Sequence, residues 1–155
     1  MNMAGSPPEV TSGFGVPLDP VALTRLDLTD VLVYGVCTDL GRSRCVITIE
    51  IVPSYHAALA NMLALSGEAE VLVDLAAEGV AQLDIRGCTV RPKEWKDNEK
   101  PHNCEIAWVR CRRRRLRTPA YQVQIAIFGG LRIRITFDRL FGQRSPRPPG
   151  VVHEY

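Results

Sequence analysis

Tyr121-Gln122-Val123-Gln124-Ile125-Ala126-Ile127-Phe128-Gly129-Gly130-Leu131-Arg132-Ile133-Arg134-Ile135-Thr136-Phe137 is the stretch that decides the fold. Apolar and polar residues alternate with a period of two on both sides of the glycines, the pattern of half-buried strands. Tyr121, Val123, Ile125 and Ile127 make one apolar face, and Leu131, Ile133, Ile135 and Phe137 make another. A two-residue Gly129-Gly130 loop would pair Ile125 with Arg134 and Ile127 with Arg132, which puts the two apolar sets on opposite faces. A three-residue Phe128-Gly129-Gly130 loop pairs Ile127 with Leu131, Ile125 with Ile133 and Val123 with Ile135. Only the second register buries one face, so the turn is predicted to be bulged, with glycine at its left-handed position. Arg132 and Arg134 then face outward beside Gln122 and Gln124.

The same period recurs upstream. Val31–Cys37 is apolar on both faces, as in a central strand, and Arg44–Val52 alternates with Ile47, Ile49 and Ile51 on one side. Asp39-Leu40-Gly41-Arg42-Ser43 between them predicts a hairpin. Ser54 is positioned to cap a helix over Tyr55–Leu65 that Gly67 ends, with Tyr55, Leu59, Met62, Leu63 and Ser66 on one side. Strands follow at Glu70–Leu75, Val80–Val90 and Cys104–Arg113. Pro92 to Pro101, with Trp95, reads as a charged loop. The expected fold is mainly β (α+β): an antiparallel curled sheet or two-sheet sandwich of about seven strands with one short helix.

At 155 residues, 46% of them hydrophobic and 23% charged, the chain has the size and composition of one globular domain. Residues 1–20 and 142–155 are rich in proline and read as an N-terminal arm and a C-terminal tail flanking a single β-rich domain at 21–141. No apolar run approaches the roughly 20 residues of a membrane-spanning helix, and the first 20 residues lack the pattern of a signal peptide. Five cysteines, an odd number, without an export signal read as reduced thiols in a cytoplasmic protein.

The formal net charge of +2 conceals a division. Residues 1–109 carry 8 Lys/Arg against 15 Asp/Glu, and residues 110–155 carry 11 Arg against Asp138 and Glu154. Its peak is Arg110-Cys111-Arg112-Arg113-Arg114-Arg115-Leu116-Arg117. As the end of one strand, a turn and the start of the next, this run would put guanidinium groups on both faces of a projecting hairpin. With Arg132 and Arg134 it forms a candidate surface for phosphate or an acidic partner, with Trp108, Tyr121 or Phe128 for stacking. Glu70, Asp74, Glu78 and Asp84 form the complementary candidate, a solvated acidic surface for a basic partner.

Cys88, His102, Cys104 and Cys111 are the one set that invites a metal, but His102-Asn103-Cys104 lacks the paired spacing of zinc ligands, and no metal or cofactor is expected. His56, His102 and His153 pair with no evident nucleophile, and Gly13-Phe14-Gly15 does not sit between a strand and a helix, so the chain is read as a non-enzyme.

The order of segments resembles one group of small β-rich immunity proteins from bacterial polymorphic-toxin systems. The resemblance is carried by Leu28-Thr29-Asp30-Val31-Leu32 opening a hairpin, the long strand Arg44–Val52, Val71-Leu72-Val73-Asp74-Leu75, Gly79-Val80-Ala81-Gln82-Leu83-Asp84-Ile85-Arg86-Gly87, and the Tyr121–Phe137 hairpin. It spans roughly residues 26–140 as a rhythm of apolar positions, and the helix at 55–65 and the arginine run depart from it. It implies a cytoplasmic protein that binds and blocks a toxin domain, and it transfers no site residue. The functional expectation is therefore a non-catalytic protein-binding module. The alternatives are a nucleic-acid-binding β-domain that uses the arginine hairpin, and a phage or other assembly protein that exchanges its arms.

Overall fold

The computed structural model describes residues 15–28, 30–87, 105–128 and 130–146. Nine strands form two antiparallel sheets. They are β1 (Val16–Leu18), β2 (Leu32–Asp39), β3 (Arg44–Ile51), β4 (Val71–Glu78), β5 (Gln82–Arg86), β6 (Ile106–Arg113), β7 (Tyr121–Ile127), β8 (Arg132–Phe137) and β9 (Arg139–Arg144). Sheet A has the order β1-β9-β4-β3-β2 and sheet B the order β5-β8-β7-β6. One short helix, α1 (Ala57–Met62), and two 3-10 turns complete the described elements. The expected mainly β, two-sheet class is what forms. Among the described residues no helix is long and apolar enough to cross a membrane.

The β7–β8 hairpin has the register that burial of one face demands. Val123 pairs with Ile135 and Ile125 with Ile133, and the Ile127 N–H donates to Leu131 O. Gly130 takes the left-handed φ of +98°. These residues face Ile47, Ile49, Ile51, Val73, Leu75 and Leu140 of sheet A across one continuous core. Leu59, Ala60 and Leu63 from the α1 segment and Leu23 from the 3-10 turn Pro20–Arg25 close it.

Two chain segments run through both sheets. β4 continues through Gly79, Val80 and Ala81 into β5, while β8 passes into β9 through Asp138 alone. Glu78 pairs with Arg139 on one side of this corner and Gln82 with Thr136 on the other, so three residues oppose two, the count of a bulge. Gly79 has φ +70°, and a Cβ there would lie 2.8 Å from Asp138 Oδ2.

Four sequence expectations are corrected. β2 is an edge strand rather than a central one. Its first residues are covered because β6 crosses them, with Leu32 bridged to Glu105 and the Ile106 N–H donating to Val31 O, whereas Cys37–Asp39 is exposed. The central position belongs to β4, buried at all eight residues. Asp74 and Glu78 on it are satisfied internally rather than solvated. The Thr48 hydroxyl donates to Asp74 at 2.7 Å, and Arg44 meets Glu78 at 2.6 Å with both side chains nearly inaccessible.

The helix is shorter than its alanine content suggested. The Val52 N–H donates to His56 Nδ1, the chain turns over residues 53–55, and His56 rather than Ser54 precedes the first helical residue. Tyr55 is thus left 71% exposed. Lastly, the proline-rich boundaries hold strand: Val16–Leu18 pairs with β9, at an edge where Pro17 is tolerated, and β9 runs on to Arg144. Residues 1–14, 147–155 and the expected loop at 92–101 lie outside the described residues.

Gly142 lies on the core side of β9, where a Cβ would come within 2.8 Å of Leu18 and 3.0 Å of Leu63. Gly142→Val is expected to cost about 1–3 kcal/mol by overpacking. Urea unfolding would show this as a lower midpoint with an unchanged slope.

Candidate functional site

Strand alternation on β6, β7, β8 and β5 alternately feeds the core and the outer face of sheet B. Three rows cross that face. Trp108, Ala126, Arg132 and Arg86 form the first, Arg110, Gln124, Arg134 and Asp84 the second, and Arg112, Gln122, Thr136 and Gln82 the third. Arg110, Arg112, Arg132 and Arg134 are all exposed. They form two rails, on β6 and β8, with the β7 residues Gln122, Gln124 and Ala126 as the floor between them. An open groove of about 750 Å³ is lined by Arg110, Arg112, Gln122, Gln124 and Arg134 of this face together with Val109 and Cys111 of β6 and Thr24 of the 3-10 turn.

Trp108 organises the first row. The Arg110 guanidinium carbon lies 4.3 Å from its ring centroid and that of Arg132 5.7 Å. Ala126, between Trp108 and Arg132 in register, is small enough for the indole and the guanidinium to meet above it. Such stacking restrains two cations on the face at low entropic cost.

The rest of the arginine run is divided among different environments. Arg113 falls on the opposite alternation, across from Tyr121. Arg114 closes the base of the turn, its N–H donating to Ala120 O and its Nη1 lying 3.4 Å from Pro119 O. Arg115, Leu116 and Arg117 stand exposed at the tip. The turn is anchored by Asp138, whose carboxylate accepts the Ala120 N–H at 3.1 Å. The run therefore does not present one cluster. Two of its members join Arg132 and Arg134 on the sheet, and the tip extends the basic surface beyond the third row.

Among the described residues, the ion pairs are Arg42–Asp39, Arg44–Glu78 and Arg86–Asp84. None of Arg110, Arg112, Arg113, Arg115, Arg117, Arg132 or Arg134 belongs to one. The acidic candidate set, in contrast, does not form a surface. Asp74 and Glu78 are buried in sheet A, Glu70 is exposed just before β4, and Asp84 lies within the basic face, 3.1 Å from Arg86. Of the three aromatic candidates, Tyr121 is unavailable because its ring stacks on Phe137 in the core direction, centroids 6.0 Å apart. Phe128 is 53% exposed at the end of the β7 floor. Arg86 was not a sequence candidate. Its outward alternation was legible, but only the β5–β8 pairing places it beside Arg132.

No family model, curated protein or solved structure matches this chain.

Cys88, His102 and Cys104 of the metal candidate set lie outside the described residues, and among the described ones no three His, Cys, Asp or Glu side chains converge on a metal position. Cys45 and Cys111 are held in their protonated form. Burial pushes Cys45 up to about 11, with the neighbouring Cys37 adding to it. Burial and then the nearby Asp19 do the same to Cys111, also to about 11. A thiol shifted this way is a poor nucleophile.

Two outcomes are expected. Asp138→Ala leaves the Ala120 N–H without its acceptor and should destabilise by about 1–3 kcal/mol, with faster amide exchange at Ala120, while Asp138→Asn, which keeps a side-chain carbonyl, should recover much of the loss. Iodoacetamide at about pH 8 should alkylate exposed Cys37 in the native protein and spare Cys45 and Cys111, where the shift leaves about a hundredfold less thiolate, as peptide mass mapping would read. Because both native values exceed the unfolded 9.0, the stability these thiols carry is complete below that pH and is lost as pH rises toward 11.

Proposed function

We propose that the chain is a non-catalytic binding module and that the outer face of sheet B is where it holds an anionic macromolecule. The observation that carries this reading is the alignment of Arg110, Arg112, Arg132 and Arg134 on one face, on strands either side of β7, with none of the four in an ion pair among the described residues. Like charges on adjacent rows repel, and Asp84, the one carboxylate in these rows, is engaged by Arg86, so gathering the four arginines costs stability and suits a surface completed by a partner. Guanidinium groups favour bidentate contacts with carboxylate or phosphate. The absence of an activated thiol at Cys45 and Cys111, and the engagement of His56 Nδ1 with the Val52 N–H, support binding rather than chemistry.

A toxin-blocking role, as the resemblance to immunity proteins implies, would use this same face against an acidic patch on the toxin domain. The burial of Asp74 and Glu78 removes the second, acidic surface that a two-sided capture of a basic partner would need.

Arg112→Glu/Arg134→Glu tests the reading. On a sulfated polyanion resin the wild type should be retained and the double variant should elute at markedly lower salt, with unchanged circular dichroism and thermal midpoint. Equal elution of the two folded proteins would sink the assignment of the face.

A further inference from the structure

We infer that the anionic macromolecule held on this face is a single-stranded nucleic acid, an inference that rests on the binding-face reading above. The rails lie two strand spacings apart, about 10 Å, and within each rail the arginine Cα positions repeat every second residue, about 7 Å. That repeat lets successive arginines follow an extended sugar–phosphate backbone, whose charges are evenly spaced, more naturally than the irregular carboxylates of a folded protein surface.

The floor points the same way. Gln122 and Gln124 lie between the rails, and each amide carries both donors and an acceptor. Arginines alone suffice for a carboxylate-covered partner, whereas base edges present donors and acceptors together. At the far end stands Phe128, which continues the outward 122-124-126 alternation just past β7. Its backbone N–H donates to Glu105 O at 2.9 Å, so the exposed ring is held at the end of the floor. An exposed aromatic ring on a basic face is a stacking platform. Beside it the Trp108–Arg110–Arg132 stack offers further π surface, since guanidinium planes as well as rings accept bases.

The ring also selects strandedness. Bases inside a duplex are already covered on both faces and cannot stack on Phe128. From Arg112 through Arg110 and Trp108 to Phe128 the face spans about 20 Å, room for about four nucleotides.

The test is fluorescence anisotropy with a labelled oligothymidine of about eight nucleotides, a hairpin duplex of matching length, and poly-glutamate as competitor. The single strand should bind more tightly than the duplex, with a log–log salt slope of about −3, as four phosphate contacts require. Phe128→Leu should weaken single-strand binding about tenfold and Phe128→Tyr should retain it, while neither changes elution from the polyanion resin. Equal affinity for duplex and single strand with no effect of Phe128→Leu would overturn the inference and leave the binding face standing. Displacement of the oligonucleotide by equal or lower charge concentrations of poly-glutamate would overturn it in favour of an acidic protein. No oligonucleotide binding at low salt, with the Arg112→Glu/Arg134→Glu shift on the resin intact, overturns it alone. Oligonucleotide binding and resin elution both unchanged in that variant overturn the inference and the face together.

Discussion

Everything in this molecule depends on a corner made by one glycine and one aspartate. β4–β5 and β9–β8 form a single long ribbon, and at Gly79 and Asp138 that ribbon leaves sheet A and enters sheet B. The bulge turns the ribbon so that the isoleucines of β3, β7 and β8 meet in one core, and the absent side chain of Gly79 leaves room for the Asp138 carboxylate. That carboxylate accepts the Ala120 N–H. The residue that turns the fold thus also fixes the base of the arginine turn, and the basic tip is positioned by the corner rather than by its own sequence.

Sheet A uses its polar residues differently from sheet B. Its second face buries Thr48, Glu50, Asp74 and Glu78, and Arg44 and Thr48 pair with Glu78 and Asp74 across adjacent strands. A buried pair of this kind contributes little net stability, but removing one partner strands a desolvated charge, so it fixes the β3–β4 register more than it deepens the minimum. The ion pairs Arg44–Glu78, Arg42–Asp39 and Arg86–Asp84 all join residues of the first 109, so they engage its few cations and leave its acidic excess unneutralised. The arginine excess of the remainder is not consumed. The two halves therefore differ in placement: Asp74 and Glu78 are buried in sheet A, whereas Arg110, Arg112, Arg132 and Arg134 are displayed on one face of sheet B.

What was legible before the structure follows from what period-two alternation encodes. Parity assigns each residue to a face, and the requirement for one buried face then selected the Val123–Ile135 register and the outward placement of Arg132 and Arg134. Parity says nothing about which strands are neighbours. β2, apolar on both sides near Leu32, looked central because the crossing β6 covers it there. β9 went unseen because Asp138 is a one-residue link with no turn signal, and the glycine in Leu140-Phe141-Gly142 reads as a break rather than as a seat for Leu63. The acidic set failed for a related reason: carboxylates spaced for a solvated face look identical to carboxylates paired across a covered one. Arg86 joined the site through strand order alone.

The binding face is the obligatory reverse of the core. In β8, Arg132 and Arg134 alternate with Ile133 and Ile135, and in β6, Arg110 and Arg112 flank Cys111, which packs against the core. Slipping either strand by one residue would bury two guanidinium groups and expose two apolar side chains, a double penalty at every row. Placing the arginines on strands therefore does two things at once. It specifies register more strongly than neutral polar residues would, and it guarantees that any chain with the correct core also displays the four cations in one plane. The backbone spacing of the face is inherited from packing, so a partner with regularly spaced charges meets cations whose attachment points are fixed by the sheet and has only the arginine side chains left to order.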